Sequence, residues 1–360
     1  MRRVYVLLLI ALFSAGCGEP LVVSGDLPGF MRIVAGIASQ SGLGADSLGT
    51  TMRLTLPTGV IANDSGTVFI ADQSIKVVRV ESSNRARVLY RGSGCFTPPE
   101  NCLMRPQQMA WLGADLLITD NMTDRVWRMN TATGAMLPYS GTGAPAFSPD
   151  GTPVAEASLF SPAGIAVAPD GRIFIAESGA NRIRVVGSDG LLRTFAGTGE
   201  PGAAGDGGPA ADAQLSAPGW ITIANGVLYI ADSGNHRIRA VQLSTGIIST
   251  VAGSGLRGYS GDNGPALQAN LDLPWSLVAA ADGRTLFFGE LGNHRVRVIG
   301  LETGRISTLA GTGSTAFTGN GRPAAETALN QPSALAITAD GLLFIADTGH
   351  NLVWRTPVRF

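Results

Sequence analysis

The sequence predicts an all-β fold, a six-bladed β-propeller of four-stranded antiparallel blades. A repeated proline, a repeated acidic residue and a pattern of short apolar runs separated by turns predict this fold. A proline recurs six times at intervals of 49 to 58 residues, and an acidic residue follows each proline 14 to 16 positions later. Between these marks lie short β-branched runs and turns, which is typical of propeller repeats. The prolines are Pro57, Pro106, Pro162, Pro218, Pro274 and Pro332, and the acids are Asp72, Asp120, Glu177, Asp232, Glu290 and Asp347.

The third unit shows the predicted strands in order. Residues 162–167 form the first apolar run, and Asp170-Gly171 is a strong hairpin signal before the second run, 173–177. A third strand follows the acid, and a fourth ends in Ala196-Gly197. The inner runs are nearly continuous in apolar residues rather than alternating, which indicates sheets covered on both faces by neighbouring blades.

The two ends of the chain predict how the ring closes. The sixth unit stops after its third strand, and residues 32–36 at the other end copy the missing fourth strand. Without that strand, blade six would present an unpaired edge. We therefore expect the N-terminal strand to complete blade six, and we predict that deleting residues 31–40 disrupts folding.

The first thirty residues read as an export and anchoring segment. A basic start and an apolar run too short to span a bilayer predict a signal peptide over residues 1–16. The small residues before Cys17 resemble the lipobox of bacterial lipoproteins, although Ser14 stands where leucine is usual. This resemblance implies lipidation at Cys17, a tether over residues 17–30 and a propeller over 31–360. An ordinary signal peptide is the alternative.

The expected anchor indicates where the protein lies and whether its cysteines are oxidised. Gly18 replaces the aspartate that retains lipoproteins at the inner membrane, so we expect the outer membrane, facing the periplasm or the cell surface, with lipid as the only membrane contact. In an oxidising compartment, Cys95 and Cys102 are expected to form a disulfide. Zinc is the alternative for this pair, but no histidine lies nearby to complete a tetrahedral site.

Three turns carry a family resemblance. Residues 232–238, 290–296 and 347–352 read DSGNHRI, ELGNHRV and DTGHNL, and they resemble NHL repeats. The long loops resemble those of NHL units in bacterial envelope proteins and teneurins. The resemblance covers about residues 31–360 and is weaker in the first two units. It implies a non-catalytic interaction platform. Some six-bladed relatives are metal-dependent lactonases or lyases with an axial site, which is the alternative function.

Charge and histidine placement narrow the function classes. The chain has 26 basic and 27 acidic residues, so it lacks the basic excess that nucleic-acid binding requires. His236, His294 and His350 occupy successive blades, which places them too far apart to share one zinc ion. We predict no metal, no cofactor and a monomer. The repeated acids are expected to form structural ion pairs with Arg125, Arg182, Arg237 and Arg295.

The long inter-blade loops are predicted to carry one helical turn each. Pro209, Pro265 and Pro323 are followed by alanine, which suits a helix with proline at its first position. Connections of about twenty residues are uncommon and often functional. A structured cover over the blade junction is the alternative.

Four residues break the pattern of small side chains after the repeated proline. They are Trp220 and Trp275 in adjacent blades, and Gln107 and Gln108 across the ring. Aromatic rings beside amides at a channel mouth suit a sugar or a peptide side chain. The alternative is that both tryptophans pack under the long loops. The sequence therefore predicts a lipid-anchored binding or scaffold module for an envelope protein or glycan.

Overall fold

The computed structural model describes residues 29–38, 47–92 and 102–359, which form a closed ring of six antiparallel sheets. The innermost strand of each blade begins at a repeated proline, and these strands contact one another around the ring. The predicted six-bladed propeller is confirmed. The innermost strands are Pro57–Ala62, Pro106–Leu112, Pro162–Val167, Pro218–Ala224, Pro274–Ala279 and Pro332–Ile337.

The second strand of each blade runs antiparallel to the first and ends at the repeated acid. The second strands are Val68–Asp72, Asp115–Asp120, Ile173–Glu177, Val227–Asp232, Thr285–Glu290 and Leu342–Asp347. They are buried along almost their whole length because neighbouring blades cover both faces. The third strands are Lys76–Val80, Arg125–Asn130, Arg182–Val186, Arg237–Gln242, Arg295–Gly300 and Leu352–Pro357.

The outer strands complete the blades. They are Arg85–Arg91, Met136–Ser140, Leu191–Ala196, Ile248–Ala252, Arg305–Ala310 and, in blade six, Arg32–Ala35. Blades one, three and five differ from the four-stranded prediction, because a two-residue strand pairs with each of their outer strands. The loop that precedes the blade in the chain supplies this strand, which runs along the outer edge of the blade. These short strands are Ser47–Leu48, Thr152–Pro153 and Gly264–Pro265.

The ring closes as the sequence predicts. Arg32–Ala35 pairs antiparallel with Leu352–Pro357, with Ile33 opposite Trp354. Met31 is fully buried in the same apolar cluster as Trp354. The first described strand therefore covers the edge that blade six would otherwise expose.

The helical turns predicted for the long loops are present as short 3₁₀ turns. Pro209, Pro265 and Pro323 each stand at the N-cap, one position before the first helical residue, and not at the first helical position as predicted. The 3₁₀ turns that precede innermost strands are Gly49–Thr51, Ala210–Asp212, Ala266–Gln268 and Ala324–Glu326. Two more, Ser233–Asn235 and Thr348–His350, lie between the second and third strands of blades four and six. None of the helices in the described parts of the chain is long enough to cross a membrane.

In five blades, a close backbone approach requires the glycine that follows the outer strand. Gly197 and Gly253 have φ values of +94° and +95°, and a Cβ there would lie 2.4 and 2.3 Å from the carbonyl oxygens of Asn181 and His236. Any other residue would displace the neighbouring turn.

Several predictions fall outside the described residues. These are the signal peptide over residues 1–16, lipidation at Cys17 and the tether up to residue 28. Cys95 also lies there, so its disulfide with Cys102 stays a prediction.

Candidate functional site

The six repeated acids are structural groups on the loop face, which carries the inter-blade loops and the turns between second and third strands. All six are fully buried. Each accepts a hydrogen bond, 2.5 to 2.8 Å long, from the backbone N–H two residues before the proline of its own blade. The acid thus fixes the start of the innermost strand. The donors are Thr55, Met104, Phe160, Ser216, Asp272 and Asn330.

The turn after the acid joins each blade to the next one. In five of the six described turns, a residue with left-handed φ accepts a bond from the backbone N–H that precedes the next blade's proline. His236 and His294 hold this position in blades four and five, which explains the histidine of the repeat. The pairs, acceptor first, are Asp124 with Ser161, Asn181 with Ala217, His236 with Leu273, His294 with Gln331, and Asn351 with Leu56.

A hydroxyl beside the acid strengthens three of these junctions. Ser178, Ser233 and Thr348 each follow an acid and donate to the proline carbonyl of the next blade, at 2.5 to 2.7 Å. The repeated motif therefore acts as a joint between blades.

The predicted partners of the acids need correction. Three of the predicted partners begin third strands, and their side chains extend to the long loops. Arg182, Arg237 and Arg295 donate to the loop carbonyls of Thr198, Ser254 and Thr312, respectively. Arg125 likewise donates to Gly141 and Thr142. In blades three, four and five the acid pairs instead with the arginine two residues further along, which is fully buried beside it. These pairs are Glu177 with Arg184, Asp232 with Arg239, and Glu290 with Arg297, each at 3.2 Å.

The buried arginines also fix the long loops. Arg239 bonds Asp206 of the Gly-Asp-Gly loop at 2.7 Å, and Asp206 accepts from Thr250 on the outer strand at 2.7 Å. Burial acts to raise the pKa of Asp206, but its bonds from Thr250 and Arg239 outweigh burial and lower that pKa. In Asp232, burial prevails and raises the pKa. Asp150 and Asp262 make the same links in blades three and five.

The three histidines have separate hydrogen-bond partners. His350 bonds Asp347 at 2.8 Å and the carbonyl of Thr315 at 2.7 Å, whereas His236 and His294 contact the next blade. Across residues 29–38, 47–92 and 102–359, no three His, Cys, Asp or Glu side chains are grouped to hold a metal ion.

Three aromatic side chains stand at one equivalent place in the long loops. Phe147, Tyr259 and Phe317 each lie four residues after a Gly-x-Gly turn, and they are 45%, 43% and 41% exposed. Ala203 holds this place in the loop before blade four. Sequence reasoning missed these residues, although their fixed distance from the Gly-x-Gly turn could have revealed them.

Each of these aromatic rings is held by at least one stacking contact. The guanidinium of Arg295 lies 3.9 Å from the centroid of Tyr259, and that of Arg182 lies 4.5 Å from Phe147. Phe317 stacks on Trp354, with centroids 6.1 Å apart. The Tyr259 hydroxyl also donates to Asp262. The rings are thus fixed in orientation while almost half of each side chain stays open to solvent.

The four predicted ligand-binding residues lie where innermost strands begin. Gln107 is 4% exposed and Gln108 is 6% exposed. Trp220 is 1% exposed and belongs to an apolar core cluster, while the half-buried Trp275 packs against that cluster. Gln108 and Trp220 also line the central channel. Ligand binding by these residues stays a prediction.

The channel contains a cavity of about 300 Å³ on the side away from the long loops. It is lined by the second halves of the innermost strands, including Ala62, Trp111, Val167 and Ile223. No carboxylate, imidazole or thiol side chain lines it. The cavity therefore offers none of the usual protein ligands of zinc.

Comparison with known sequences confirms the resemblance. Residues 161–186 match the family model described as "NHL repeat". The chain is 28% identical over 203 residues to NHL repeat-containing protein 2 of Bos taurus, covering 51% of this chain and 28% of that protein. It is 40% identical over 87 residues to human Teneurin-4, covering 21% of this chain and 3% of that protein. The chain thus spans under a third of the length of either relative.

Solved structures share the fold. An auxiliary nutrient binding protein from Bacteroides thetaiotaomicron superposes with a TM-score of 0.66 at 13% identity, covering 91% of this chain and 75% of that one. A gluconolactonase from Xanthomonas campestris superposes with a TM-score of 0.55 at 14% identity, covering 90% and 98%. At these identities the likeness concerns the fold alone. The chain is a six-bladed β-propeller in which residues 161–186 match the NHL repeat.

Proposed function

We propose that the chain is a non-catalytic binding module, lipid-anchored through Cys17 at the outer membrane, whose long-loop face binds a component of the cell envelope. The observation that carries this proposal is the set of three equivalent, half-exposed aromatic rings at Phe147, Tyr259 and Phe317. The rest of the repeated polar chemistry on that face is used in joints between blades and loops.

The geometry of these rings favours a glycan over a protein surface. Each ring is held by stacking, so little side-chain entropy is lost when a ligand covers its open side. Asp262 and Thr308 lie within the same hydrogen-bonded group as Tyr259, and the guanidinium of Arg295 stacks on the Tyr259 ring. A fixed ring beside polar side chains suits a ligand that has both apolar faces and hydroxyls, as sugars do.

The enzyme alternative has less support from this site. A metal-dependent lactonase or lyase with an axial centre would need donors in the channel, and the side chains that line the cavity supply no carboxylate or imidazole. The similarity to a gluconolactonase concerns the fold. Fold alone does not carry an activity.

The test is binding of the detergent-purified full chain to peptidoglycan sacculi, measured by saturable co-sedimentation. We expect the triple variant Phe147→Ala, Tyr259→Ala, Phe317→Ala to bind at least about tenfold more weakly, because stacked aromatic contacts dominate such interfaces. The control is Leu137→Ala, since Leu137 is 68% exposed on the outer strand of blade two. Equal binding by the triple variant, or no saturable binding by the parent, would contradict the glycan proposal.

A further inference from the structure

The hairpin end of the central channel contains a cavity that the proposed loop-face function does not use. Its volume is about 300 Å³, and Gln108 is among the residues that line it. It shares Ala62 and Trp111 with a second cavity, which Asn63 and Asp64 of the strand hairpins also line. The cavity therefore opens on the face opposite the long loops.

Gln108 shows which chemical group the channel walls recognise. Its Oε1 accepts from the backbone N–H of Ile165 at 2.9 Å and from that of Ile221 at 3.1 Å. Its Nε2 donates to the carbonyl of Ile221 at 2.7 Å. These strands belong to blades three and four, whereas Gln108 comes from blade two. The axial strand edges thus hold a neutral carboxamide with three hydrogen bonds.

Two residues further along each innermost strand, the same backbone groups face the channel again. Every innermost strand is the last strand of its sheet, so its axial N–H and C=O groups face the channel without a neighbouring strand. Backbone groups on one edge recur every second residue, which places Val167 and Ile223 one layer beyond Ile165 and Ile221. Both residues line the cavity.

The remaining surface of the cavity disfavours an ion. The lining is mostly aliphatic, with Trp111 and Trp220, and it includes no charged side chain. Its polar side chains are Gln108 and Thr222. Transfer of an unpaired charge into such surroundings is costly, whereas a neutral amide with satisfied hydrogen bonds is tolerated. An apolar cavity of about 150 Å³ holds one benzene molecule. A cavity twice that size has room for a ring and an attached amide.

We propose that this cavity binds a small neutral molecule that carries a carboxamide or peptide group. The amide bonds the strand edges at Val167 and Ile223, in the layer next to the carboxamide of Gln108. The apolar part lies against Trp111 and the aliphatic wall. This site is separate from the loop-face aromatics, so either proposal can fail without the other.

Benzamide is the probe, and benzoate is its charged counterpart of the same shape. Titration of the purified full chain, followed by amide NMR shifts, is expected to give saturable benzamide binding with a Kd of about 0.1–1 mM, in the range that ligand efficiency allows. The largest shifts are expected at the amides of Val167 and Ile223. Benzoate is expected to bind at least about tenfold more weakly because its charge cannot be paired there.

A matched pair of substitutions locates the site. Ala62 and Ala279 end the innermost strands of blades one and five at equivalent positions, but only Ala62 is among the residues that line the cavity. Ala62→Phe should abolish benzamide binding, and Ala279→Phe should preserve it. The shift map of the parent decides the matter if Ala62→Phe fails to fold. No saturable benzamide binding, equal benzoate binding, or shifts confined to the loop face would overturn the proposal.

Discussion

The imidazole of His236 accepts the backbone N–H of Leu273 through Nδ1, at 3.3 Å, and so joins blade four to blade five. His294 makes the same bond to Gln331 at 3.2 Å, between blades five and six. A protonated imidazole has no lone pair on Nδ1 and cannot accept. Two of the joints in the ring therefore require neutral histidine.

Stability is expected to fall in acid through these two residues. Burial lowers the pKa of His236 below its ordinary 6.5, although Asp272 opposes this and Arg257 adds to it. Burial also lowers the pKa of His294, where Asp347 and Asp272 oppose the shift while Arg295 and His350 add to it. Between the lowered pKa and 6.5 the unfolded chain binds more protons, so stability is lost as pH falls through that window.

His350 is expected to contribute with the opposite sign. Burial disfavours its charge, but the bond and charge of Asp347 and the carbonyl of Thr315 outweigh burial and raise its pKa. A raised pKa stabilises the fold below 6.5, and this contribution is lost as pH rises through the raised value. Denaturation curves of His350→Gln and of the parent, recorded at about pH 5 and pH 8, test this sign. The substitution should lower the free energy of unfolding more at pH 5 than at pH 8. A variant that loses more stability at pH 8 than at pH 5 would refute this assignment.

Arg239→Leu is expected to destabilise the protein by about 3–5 kcal/mol, because it leaves Asp232 buried without its cation. Asp232 and Arg239 are both fully buried and 3.2 Å apart. The substitution also frees Asp206, and with it the Gly-Asp-Gly loop. The measurement is the free energy of unfolding in urea.

The control for this change is Arg193→Leu. Arg193 pairs with Asp189 at 2.6 Å, but both side chains are more than 40% exposed. Exposed ion pairs contribute little to stability, so the free energy of unfolding of the Arg193→Leu variant in urea should match that of the parent. Equal effects of the two substitutions would mean that burial does not set the strength of these pairs.

Deletion of residues 31–40 is expected to prevent stable folding. It removes Arg32–Ala35, the outer strand of blade six, and the fully buried Met31. The edge of Leu352–Pro357 and one side of Trp354 would then face water. Circular dichroism melting of the deletion variant checks this. A cooperative transition at the parent temperature would show that closure is dispensable.

The repeat itself was predictable because its prolines and acids mark strand ends, and strand ends recur at fixed places in a blade. The closing strand was predictable for the same reason, since Ile33 to Gly36 copies the outer-strand ending. The ion-pair partners of the repeated acids were not predictable from the sequence. Arg182 and Arg184 lie two residues apart on one strand, so the sequence pattern gives them the same face of the sheet. Only the packing shows that Arg184 is the buried one.

The hydrogen-bond partners of Gln108 in the channel could not be predicted from the sequence, for a different reason. The sequence marks Gln108 as an exception to a pattern of small residues, but its role depends on the width of the channel. Its carboxamide spans from blade two to strands 57 and 113 residues away along the chain. Such distances between blades are set by closure of the whole ring.

The double variant His236→Asn, His294→Asn tests most directly whether the repeated motif is a joint. Asn181 and Asn351 already accept the same bond in blades three and six. We therefore expect the variant to melt with the parent at about pH 8, to lose less stability at about pH 5, and to bind sacculi as the parent does. A folded variant that no longer binds sacculi would contradict the account, because the histidines would then belong to the ligand site.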